Sequence, residues 1–176
     1  MACLHPFRAL RPTPAVAATV SAVPYDVVST AEAKALAAGN PLSFLHVSRS
    51  EIDLPPDTHP YDAQVYEQAR RNYEELERSA PLVTEALPAV YFYRLRMGNH
   101  EQTGLAACYS LDEYDRDLIK KHERTRRDKE DDRTRHVIDL RAQTGVGFLT
   151  YRASAEVDAL ASRVRATPPL FDFTAT

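Results

Sequence analysis

The chain is poor in glycine and cysteine, with only five glycines and two cysteines among its 176 residues. The glycines do not form a Gly-rich phosphate-binding loop, and the sequence has no Gly-x-Ser-x-Gly elbow and no His-Glu-x-x-His motif. Cys3 and Cys108 lack metal-ligand spacing and the six histidines are scattered, which argues against a zinc site. The familiar signatures of nucleotide-binding loops, serine hydrolases and zinc enzymes are therefore missing.

Long apolar runs are also missing. No stretch of about 18 apolar residues occurs, so no membrane-spanning helix is expected. The N-terminal residues already include His5, Pro6 and Arg8, which do not suit a signal-peptide core. A hydrophobic content of 44% and a charged content of 27% are ordinary for a globular domain. We expect a cytoplasmic, reduced protein in which Cys108 lies buried in a strand.

Charge is concentrated in one run at residues 120–136, KKHERTRRDKEDDRTRH, in which 13 of 17 residues are Lys, Arg, Asp or Glu. The run carries +3 with histidine neutral, whereas the whole chain carries −3, so the remaining residues carry −6. A basic island in an acidic protein is typical of an anion site. The central His-Glu pair favours chemistry over a plain polyelectrolyte contact.

Two other interpretations of this run stay open. It is also compatible with a solvated helix with surface ion pairs, as between Asp131 and Arg135, or with a disordered charged linker. The run contains no Gly, Pro or Ser, and periodic segments flank it on both sides, which argues against the linker.

His122 and Glu123 form the sharpest candidate pair. A carboxylate near cationic groups stays ionised and can accept a proton from a hydroxyl, so Glu123 is a candidate general base. His122 is a candidate to orient that carboxylate or, when protonated, to bind phosphate. Arginine, lysine and threonine side chains can donate to phosphate oxygens. The candidate phosphate-binding residues are Arg124, Thr125, Lys129 and Arg133.

Three further features carry weaker signals. Asp131 and Asp132 are candidates to hold Mg²⁺, which prefers carboxylates together with phosphate oxygens. The segment Pro24-Tyr25-Asp26 is a lesser site candidate, because a structural turn with a capping aspartate explains it better. His46 lies in an apolar run and is interpreted as a satisfied core histidine.

Periodicity and capping residues predict several helices. Apolar residues at helical spacing predict a helix at Tyr61–Ser79, and Ser29 with Glu32 forms a capping box for a helix at Ala31–Ala38. The other predicted helices run from Leu111 to Lys121, around Glu130–Gln143, and from Ser154 to Val164.

Strand-like segments lie between these helices. Ala89–Met97 and Gln102–Ser110 flank a short polar turn and predict a β-hairpin. Further strands are predicted at Leu42–Val47, Gly145–Tyr151 and Leu170–Phe173. The pattern predicts an α+β protein, with a mixed sheet, a β-hairpin and several flanking helices.

The last predicted strand, Leu170–Phe173, has no later partner in the sequence. We therefore expect that the chain stops inside a larger domain and that the open strand can pair with a second copy of the chain. The expected organisation is an N-terminal α+β region at 1–110 and a second region at 111–176 that is truncated at its C-terminus.

Several motifs resemble, in order, those of the family called domain of unknown function 1015. They are Pro-Tyr-Asp-Val at Pro24–Val27, Asn-Pro-Leu-Ser-Phe-Leu-His-Val at Asn40–Val47, and Glu-Ile-Asp-Leu-Pro at Glu51–Pro55. Tyr93–Leu95 and Ile119–His136 are similar to later signatures of that family. The resemblance spans essentially the whole chain.

The family resembles the ParB/sulfiredoxin-like fold group, which includes free-serine kinases. In those kinases a His-Glu pair supplies the carboxylate that activates the serine hydroxyl, so the resemblance implies this role for His122 and Glu123. It also implies ATP or ADP as the nucleotide, with Mg²⁺. An Asp-Gly-His-His-Arg motif for the nucleotide phosphates is expected downstream of Phe171–Thr174.

The leading hypothesis is an N-terminal fragment, inactive alone, of a phosphotransferase that moves a phosphoryl group from a nucleotide to a small hydroxyl substrate such as free serine. The alternative is a non-catalytic module that binds nucleic acid or another anion, or an uncharacterised structural domain. A pI near 6.1 and the lack of aromatic residues in the charged run argue against nucleic acid.

Overall fold

The computed structural model describes residues 2–122 and 125–174. The chain forms two compact units, each assembled from three separate segments. The hairpin unit contains Met1–Arg11, Thr84–Arg124 and Leu149–Leu170, and the helical unit contains Pro12–Val83, Thr125–Phe148 and Phe171–Thr176. The expected division of the chain after residue 110 concerns family regions and stays a prediction.

Helices and short strands are both present, as an α+β protein requires. In the described residues the strands are β1 (Leu4–His5), β2 (Leu10–Pro12), β3 (Leu82–Thr84), β4 (Tyr91–Met97), β5 (His100–Ala106) and β6 (Cys108–Tyr109). The helices are α1 (Ala17–Val20), α2 (Thr30–Ala37), α3 (Leu45–Ser48), α4 (Ala63–Ser79), α5 (Leu111–Asp115), α6 (Arg127–Leu140) and α7 (Ala155–Arg165), with a 3₁₀ helix at Ser50–Asp53.

Helix α4 is the longest element and organises the helical unit. The predicted helix at Tyr61–Ser79 is confirmed, although it begins two residues later, at Ala63. Its apolar stripe buries Val65, Ala69 and Leu76, because residues three and four apart share one helix face. The main core cluster comprises Val20, Val47, Ala69, Leu76, Ala80 and Leu140.

The start of α2 is fixed by the predicted capping box, which is confirmed. The Ser29 side chain accepts a hydrogen bond from the Glu32 backbone N–H, and the Glu32 carboxylate accepts from the Ser29 backbone N–H at 2.8 Å. These contacts satisfy two backbone donors that the helix itself leaves free. The helix ends before Gly39, whose positive φ of 75° suits glycine.

The buried strand predicted at Leu42–Val47 is wrong. The Asn40 side-chain oxygen accepts from the Leu42 N–H at 3.2 Å, and the resulting turn leads into helix α3. Leu45 and Val47 are buried as expected, at 2% and 1% exposure. A short, wholly apolar run has no periodicity that separates a buried strand from a buried helix, so the polar turn residue decides the outcome.

His46, next to these core residues, is half-buried and fully engaged. Its ring Nδ1 lies 2.9 Å from both oxygens of Asp53, and its Nε2 lies 3.2 Å from the Asn40 carbonyl oxygen. The Asn72 side-chain amide donates to the His46 carbonyl oxygen at 2.6 Å and to Asp53 Oδ2 at 2.7 Å. These contacts tie helix α4 to the segment from α3 to the 3₁₀ helix.

The hairpin unit is built on the predicted β-hairpin, which is confirmed. Strands β4 and β5 pair antiparallel from Tyr91 opposite Ala106 to Met97 opposite His100. Gly98 stands in the turn with φ of 58°, where a residue with a Cβ is disfavoured. Tyr91 anchors the start of β4, since its ring packs edge-on against Phe7 and its hydroxyl donates to the Phe7 carbonyl oxygen at 3.1 Å.

Strand β6 pairs antiparallel with β1 in the same unit, with Cys108 opposite His5. Cys108 and Cys3 are both exposed free cysteines, so the expected burial of the Cys108 thiol is wrong. A pair of two-residue strands is too short to bury the side chains on both of its faces. The apolar content of the segment predicts a strand but does not predict how long its pairing is.

Other predicted elements have mixed outcomes. The helix begun by Ser154 is confirmed as α7, but the helix begun by Ser110 ends at Asp115 rather than Lys121, because Asp117 takes a left-handed conformation with φ of 59°. The strands predicted at Gly145–Tyr151 and Leu170–Phe173 are wrong, since both segments are irregular. Apolar content alone suggested them, and a strand also requires a neighbouring strand to pair with.

These corrections change the expected sheet. The described strands form small sheets of two strands each rather than one mixed sheet. The α+β class is confirmed. The element through which a second copy was expected to pair, Leu170–Phe173, is not a strand. Within residues 2–122 and 125–174, no helix combines the length and the apolar character needed to cross a bilayer.

Candidate functional site

Helix α6 carries the second half of the charged run. Arginine, lysine and glutamate favour a helix, and Asp128 and Glu130 in the first turn complement the positive end of the helix dipole. His136 and Leu140, four residues apart, form its buried side. From Arg127 onward the run is therefore helical, as the solvated-helix interpretation predicted, but one side of the helix faces the interior of the unit.

A cavity of about 200 Å³ opens in the helical unit beside α6, and we refer to it as the α6 cavity. Its charged walls are formed by Arg49, Lys129 and Arg133 together with Glu51 and Asp132. Hydroxyl groups line much of the remainder, from Tyr25, Thr30, Ser48, Ser50, Tyr61 and Tyr66. With histidine neutral the lining carries a net charge of +1, which favours an anionic ligand.

Arg133 is held in a defined orientation within this cavity. Its Nε and Nη2 donate to Asp132 Oδ2 at 3.0 and 2.7 Å. Its guanidinium carbon lies 4.3 Å from the centroid of the Tyr25 ring, a cation–π contact. The Asp132 carboxylate is fixed in turn, because the Tyr66 hydroxyl donates to its Oδ1 at 2.7 Å. The donors of Arg133 that do not face Asp132 remain for a ligand, and a guanidinium fork matches two phosphate oxygens.

Lys129 lies one turn before Arg133 on the same helix. Its Nζ is 5.5 Å from the centroid of the Tyr61 ring. A hydrogen bond with the Tyr61 side chain, together with nearby negative charges, raises the pKa of Lys129, so this side chain stays a cation at neutral pH. Lys129 and Arg133 each rest against a tyrosine ring, and both positive charges border the same cavity.

Arg49 supplies the third cation of the cavity. Its Nη2 donates to Thr30 Oγ1 at 3.0 Å. Its Nε lies 3.0 Å from Glu51 Oε1, close enough for an ion pair. The Nε–H therefore faces the Glu51 carboxylate as an ion-pair partner, and Arg49 contributes positive charge to the wall of the cavity.

Burial controls the protonation of two further cavity residues. Burial lowers the pKa of His136, whose Nε2 lies 3.0 Å from the Val47 carbonyl oxygen. That oxygen can only accept, so Nε2 carries the proton in the neutral ring. Burial, and the hydrogen bond to Asp132, raise the pKa of Tyr66, which therefore remains a donor. Neither residue adds negative charge to the cavity at neutral pH.

The size of the cavity limits what it can hold. Pockets for complete cofactors or drug-sized ligands are usually about 300–1,000 Å³. A volume of about 200 Å³ suits a phosphate group, or a small phosphorylated molecule, better than an entire nucleotide. The nucleoside part of a nucleotide would lie outside this cavity.

The expected Mg²⁺ does not fit the carboxylates of the site. Asp132 already accepts from Tyr66 and Arg133, and Asp131 is exposed and is not among the cavity residues. Across the described residues, no group of three or more His, Cys, Asp or Glu side chains is placed to hold a metal ion. The predicted role of these two aspartates as magnesium ligands is therefore not supported by their geometry.

The predicted site residues fall into three groups. Lys129 and Arg133 line the α6 cavity together. Thr125 is an exposed residue two positions before α6, and His122 is an exposed residue of the hairpin unit. Glu123 and Arg124 lie outside the described residues. The convergence of His122 and Glu123 with the phosphate-binding residues thus stays a prediction.

Several cavity residues were missed from the sequence. Arg49 and Glu51 belong to the 3₁₀ helix region, and Tyr66 is an ordinary member of the apolar stripe of α4. Tyr25 belongs to the Pro-Tyr-Asp segment, which was only a lesser candidate. A usable signal was the family-like motif beginning at Glu51, since a polar motif in a loop often marks a site.

The fold and the cavity describe a mixed α+β protein with a cationic, hydroxyl-rich pocket. A comparison with protein families identifies the group: the model described as Protein of unknown function (DUF1015) matches residues 4–176. The chain belongs to this family. Neither the comparison with curated proteins nor that with solved structures gave a match.

Proposed function

We propose that the chain is the phosphate-binding part of a phosphotransferase that moves a phosphoryl group from a nucleotide to a small hydroxyl substrate such as free serine. The observation that carries this proposal is the convergence of Arg49, Lys129 and Arg133 on one cavity of about 200 Å³. Phosphoryl transfer depends chiefly on positioning and charge neutralisation, and these three side chains can supply both.

Each residue has a specific role in this proposal. The fork of Arg133 binds two oxygens of the phosphoryl group, and Lys129 neutralises charge beside it. Arg49 adds a third positive charge to the wall of the cavity. Arg124 and Thr125 extend the phosphate contacts. Glu123 takes the proton of the substrate hydroxyl, and His122 orients it, as the family resemblance implies.

The ParB/sulfiredoxin-like fold relationship and the requirement for ATP or ADP with Mg²⁺ belong to the same proposal. The acidic residues of α6 give Mg²⁺ no ready site, so any such ion would depend mainly on the nucleotide phosphates. We assign no step to it. The roles of the chain's own residues are to bind the phosphoryl group and to move the substrate proton.

A second function is a non-catalytic anion-binding module. It is favoured by the hydrogen bonds of Asp132, whose carboxylate already accepts from Tyr66 and Arg133. The cavity can therefore bind an anion, but Asp132 does not offer it a carboxylate that could ligate a metal. In this case phosphate or a phosphorylated metabolite would bind and remain unchanged. Nucleic acid fits the small cavity poorly, because its backbone follows an extended groove rather than a closed pocket.

Titration calorimetry on the 176-residue chain tests the binding step, with inorganic phosphate, ADP and ATP as ligands. Arg133→Gln removes the fork and should weaken each phosphate ligand by about tenfold or more, the effect of a lost charge-assisted hydrogen bond. Arg127→Gln is the matched control, because it removes the same charge from an exposed position of the same helix. It should change affinity by less than about twofold.

If Arg133→Gln and Arg127→Gln weaken phosphate binding equally, only the overall positive charge of the helix matters and not the cavity. That result would overturn the proposal. Turnover separates the two functions. Formation of a phosphorylated amino acid from ATP or ADP and serine supports the phosphotransferase, and binding without turnover supports the binding module.

A further inference from the structure

A second cavity lies in the hairpin unit, between the β-hairpin and helix α7, and we refer to it as the hairpin cavity. Its volume is about 300 Å³. The strand from Glu101 to Leu105 extends about 13 Å, and the helix from Val157 to Arg165 rises about 12 Å, so the two walls match in length. Arg165 Nη2 donates to Glu101 Oε1 at 2.5 Å, so this ion pair joins the two walls.

The floor of this cavity is apolar with one buried hydroxyl. Phe92 and Leu105 are opposite each other across the hairpin, and Val157 and Ala161 face them from α7. Thr103 lies between these groups, and its Oγ1 is buried without a hydrogen-bond partner in the described part of the chain. An unpartnered hydroxyl in an apolar floor favours a ligand with a polar atom at that point.

The charged side chains of the hairpin cavity lie at its exposed rim. Glu101 is neutralised by Arg165 and lies 3.9 Å from Arg94, so it has two cationic neighbours. Asp158 has no ion-pair partner within the described residues. The lining acids and the single lining arginine sum to −1, opposite in sign to the α6 cavity. An aromatic ring on the same rim, from Tyr151, adds a surface that attracts ammonium groups.

We propose that the hairpin cavity binds a short aliphatic amine that carries a second, neutral hydrogen-bonding group, as in the amino alcohols. The ammonium group pairs with Asp158 at the rim. The methylene chain covers Phe92, Leu105 and Ala161 on the floor, and the second polar group bonds with Thr103 Oγ1. This binding site is independent of the α6 cavity and of the function proposed for it.

NMR titration of the 176-residue chain with 4-aminobutan-1-ol tests this inference. We expect saturable shifts in β5 and α7, weaker binding of n-butylamine, which lacks the second polar group, and no binding of butyrate. Asp158→Asn should lower the affinity for 4-aminobutan-1-ol by about threefold, the effect of one exposed ion pair. Glu156→Gln removes a charge from the same helical turn outside the cavity and should leave the affinity unchanged.

Thr103→Val tests the hydroxyl contact separately, because it should affect stability and ligand affinity in opposite directions. A residue with only a structural role would not show this combination. It should raise the thermal midpoint of the free protein, because it removes an unsatisfied hydroxyl. It should also lower the affinity for 4-aminobutan-1-ol and leave that for n-butylamine unchanged. The inference is overturned by the absence of saturable shifts, by equal binding of butyrate, or by equal effects of Asp158→Asn and Glu156→Gln.

Discussion

The Tyr66 hydroxyl donates a 2.7 Å hydrogen bond to Asp132 Oδ1, across 66 residues of sequence. The other Asp132 oxygen receives both donors from Arg133. One tyrosine on α4 therefore sets the direction of an arginine on α6 through a shared carboxylate. Tyr66 acts as a positioning residue for the α6 cavity.

The first prediction concerns this chain of contacts. Tyr66→Phe should lower the free energy of unfolding by about 1–2 kcal/mol, because a buried hydrogen bond to a charged group is lost. Phosphate affinity should fall by about threefold or more, since Arg133 loses its fixed partner. Tyr73→Phe is the control, because Tyr73 on the same helix bonds with Glu77 outside the cavity. If both substitutions change phosphate affinity equally in calorimetry, Tyr66 has no positioning role.

A second prediction concerns the pH dependence of stability through His136. Burial holds its folded pKa below 6.5, so between that lower value and 6.5 the unfolded chain binds more protons. Its contribution to stability is therefore present above pH 6.5 and is lost as the pH falls. His136→Gln keeps a donor toward the Val47 carbonyl oxygen and cannot titrate. Denaturant unfolding of this variant should depend less on pH from 6.5 downward, and parallel curves for the two proteins would contradict the assignment.

The third prediction concerns the proposed base. Glu123→Gln keeps the size of the side chain and removes its basicity, so turnover should fall by at least about a hundredfold. Phosphate and nucleotide affinity should change little, because a carboxylate repels phosphate rather than binding it. Steady-state kinetics and calorimetry separate the two effects in any form of the protein that turns over. Turnover within a few-fold of the parent would transfer the base role to His122 or to another residue.

The fourth prediction concerns the capping box of α2. The Ser29 backbone N–H and hydroxyl donate to Glu32 and lower its pKa. The stabilisation is present above the unfolded pKa of about 4.5 and is lost as the pH falls through the lower folded value. Glu32→Gln should therefore differ from the parent in thermal midpoint at pH 7 but not at strongly acidic pH. A constant difference at all pH values would show that ionisation of Glu32 is irrelevant.

Local signals in the sequence predicted local structure well. The helix at α4, the capping box at Ser29 and the hairpin at β4–β5 each depend on residues within a few positions of one another, and all are confirmed. The strands predicted at Gly145–Tyr151 and Leu170–Phe173 failed, because strand formation depends on a partner that apolar content does not specify.

The residues of the candidate site likewise fall into those that a local sequence pattern predicted and those that it did not. Lys129 and Arg133 were predicted from one charged run and do line the cavity. Arg49, Tyr25 and Tyr66 come from separate parts of the sequence, and only the tertiary packing places them around the same space. A charge pattern can identify a charged wall, but it cannot identify the residues that fold against it.

The long sequence separation between α6 and the residues it contacts also affects the order in which the helices fold. His136 reaches the Val47 carbonyl oxygen across 89 residues, so α6 docks only after a long intervening segment has been made. Closing so long a loop is slow, although the entropic cost rises only with the logarithm of its length. Helices α3 and α4 can pack first around Val47 and Ala69. Helix α6 is the last helix of the helical unit in chain order, so the α6 cavity is complete only after synthesis has passed Leu140.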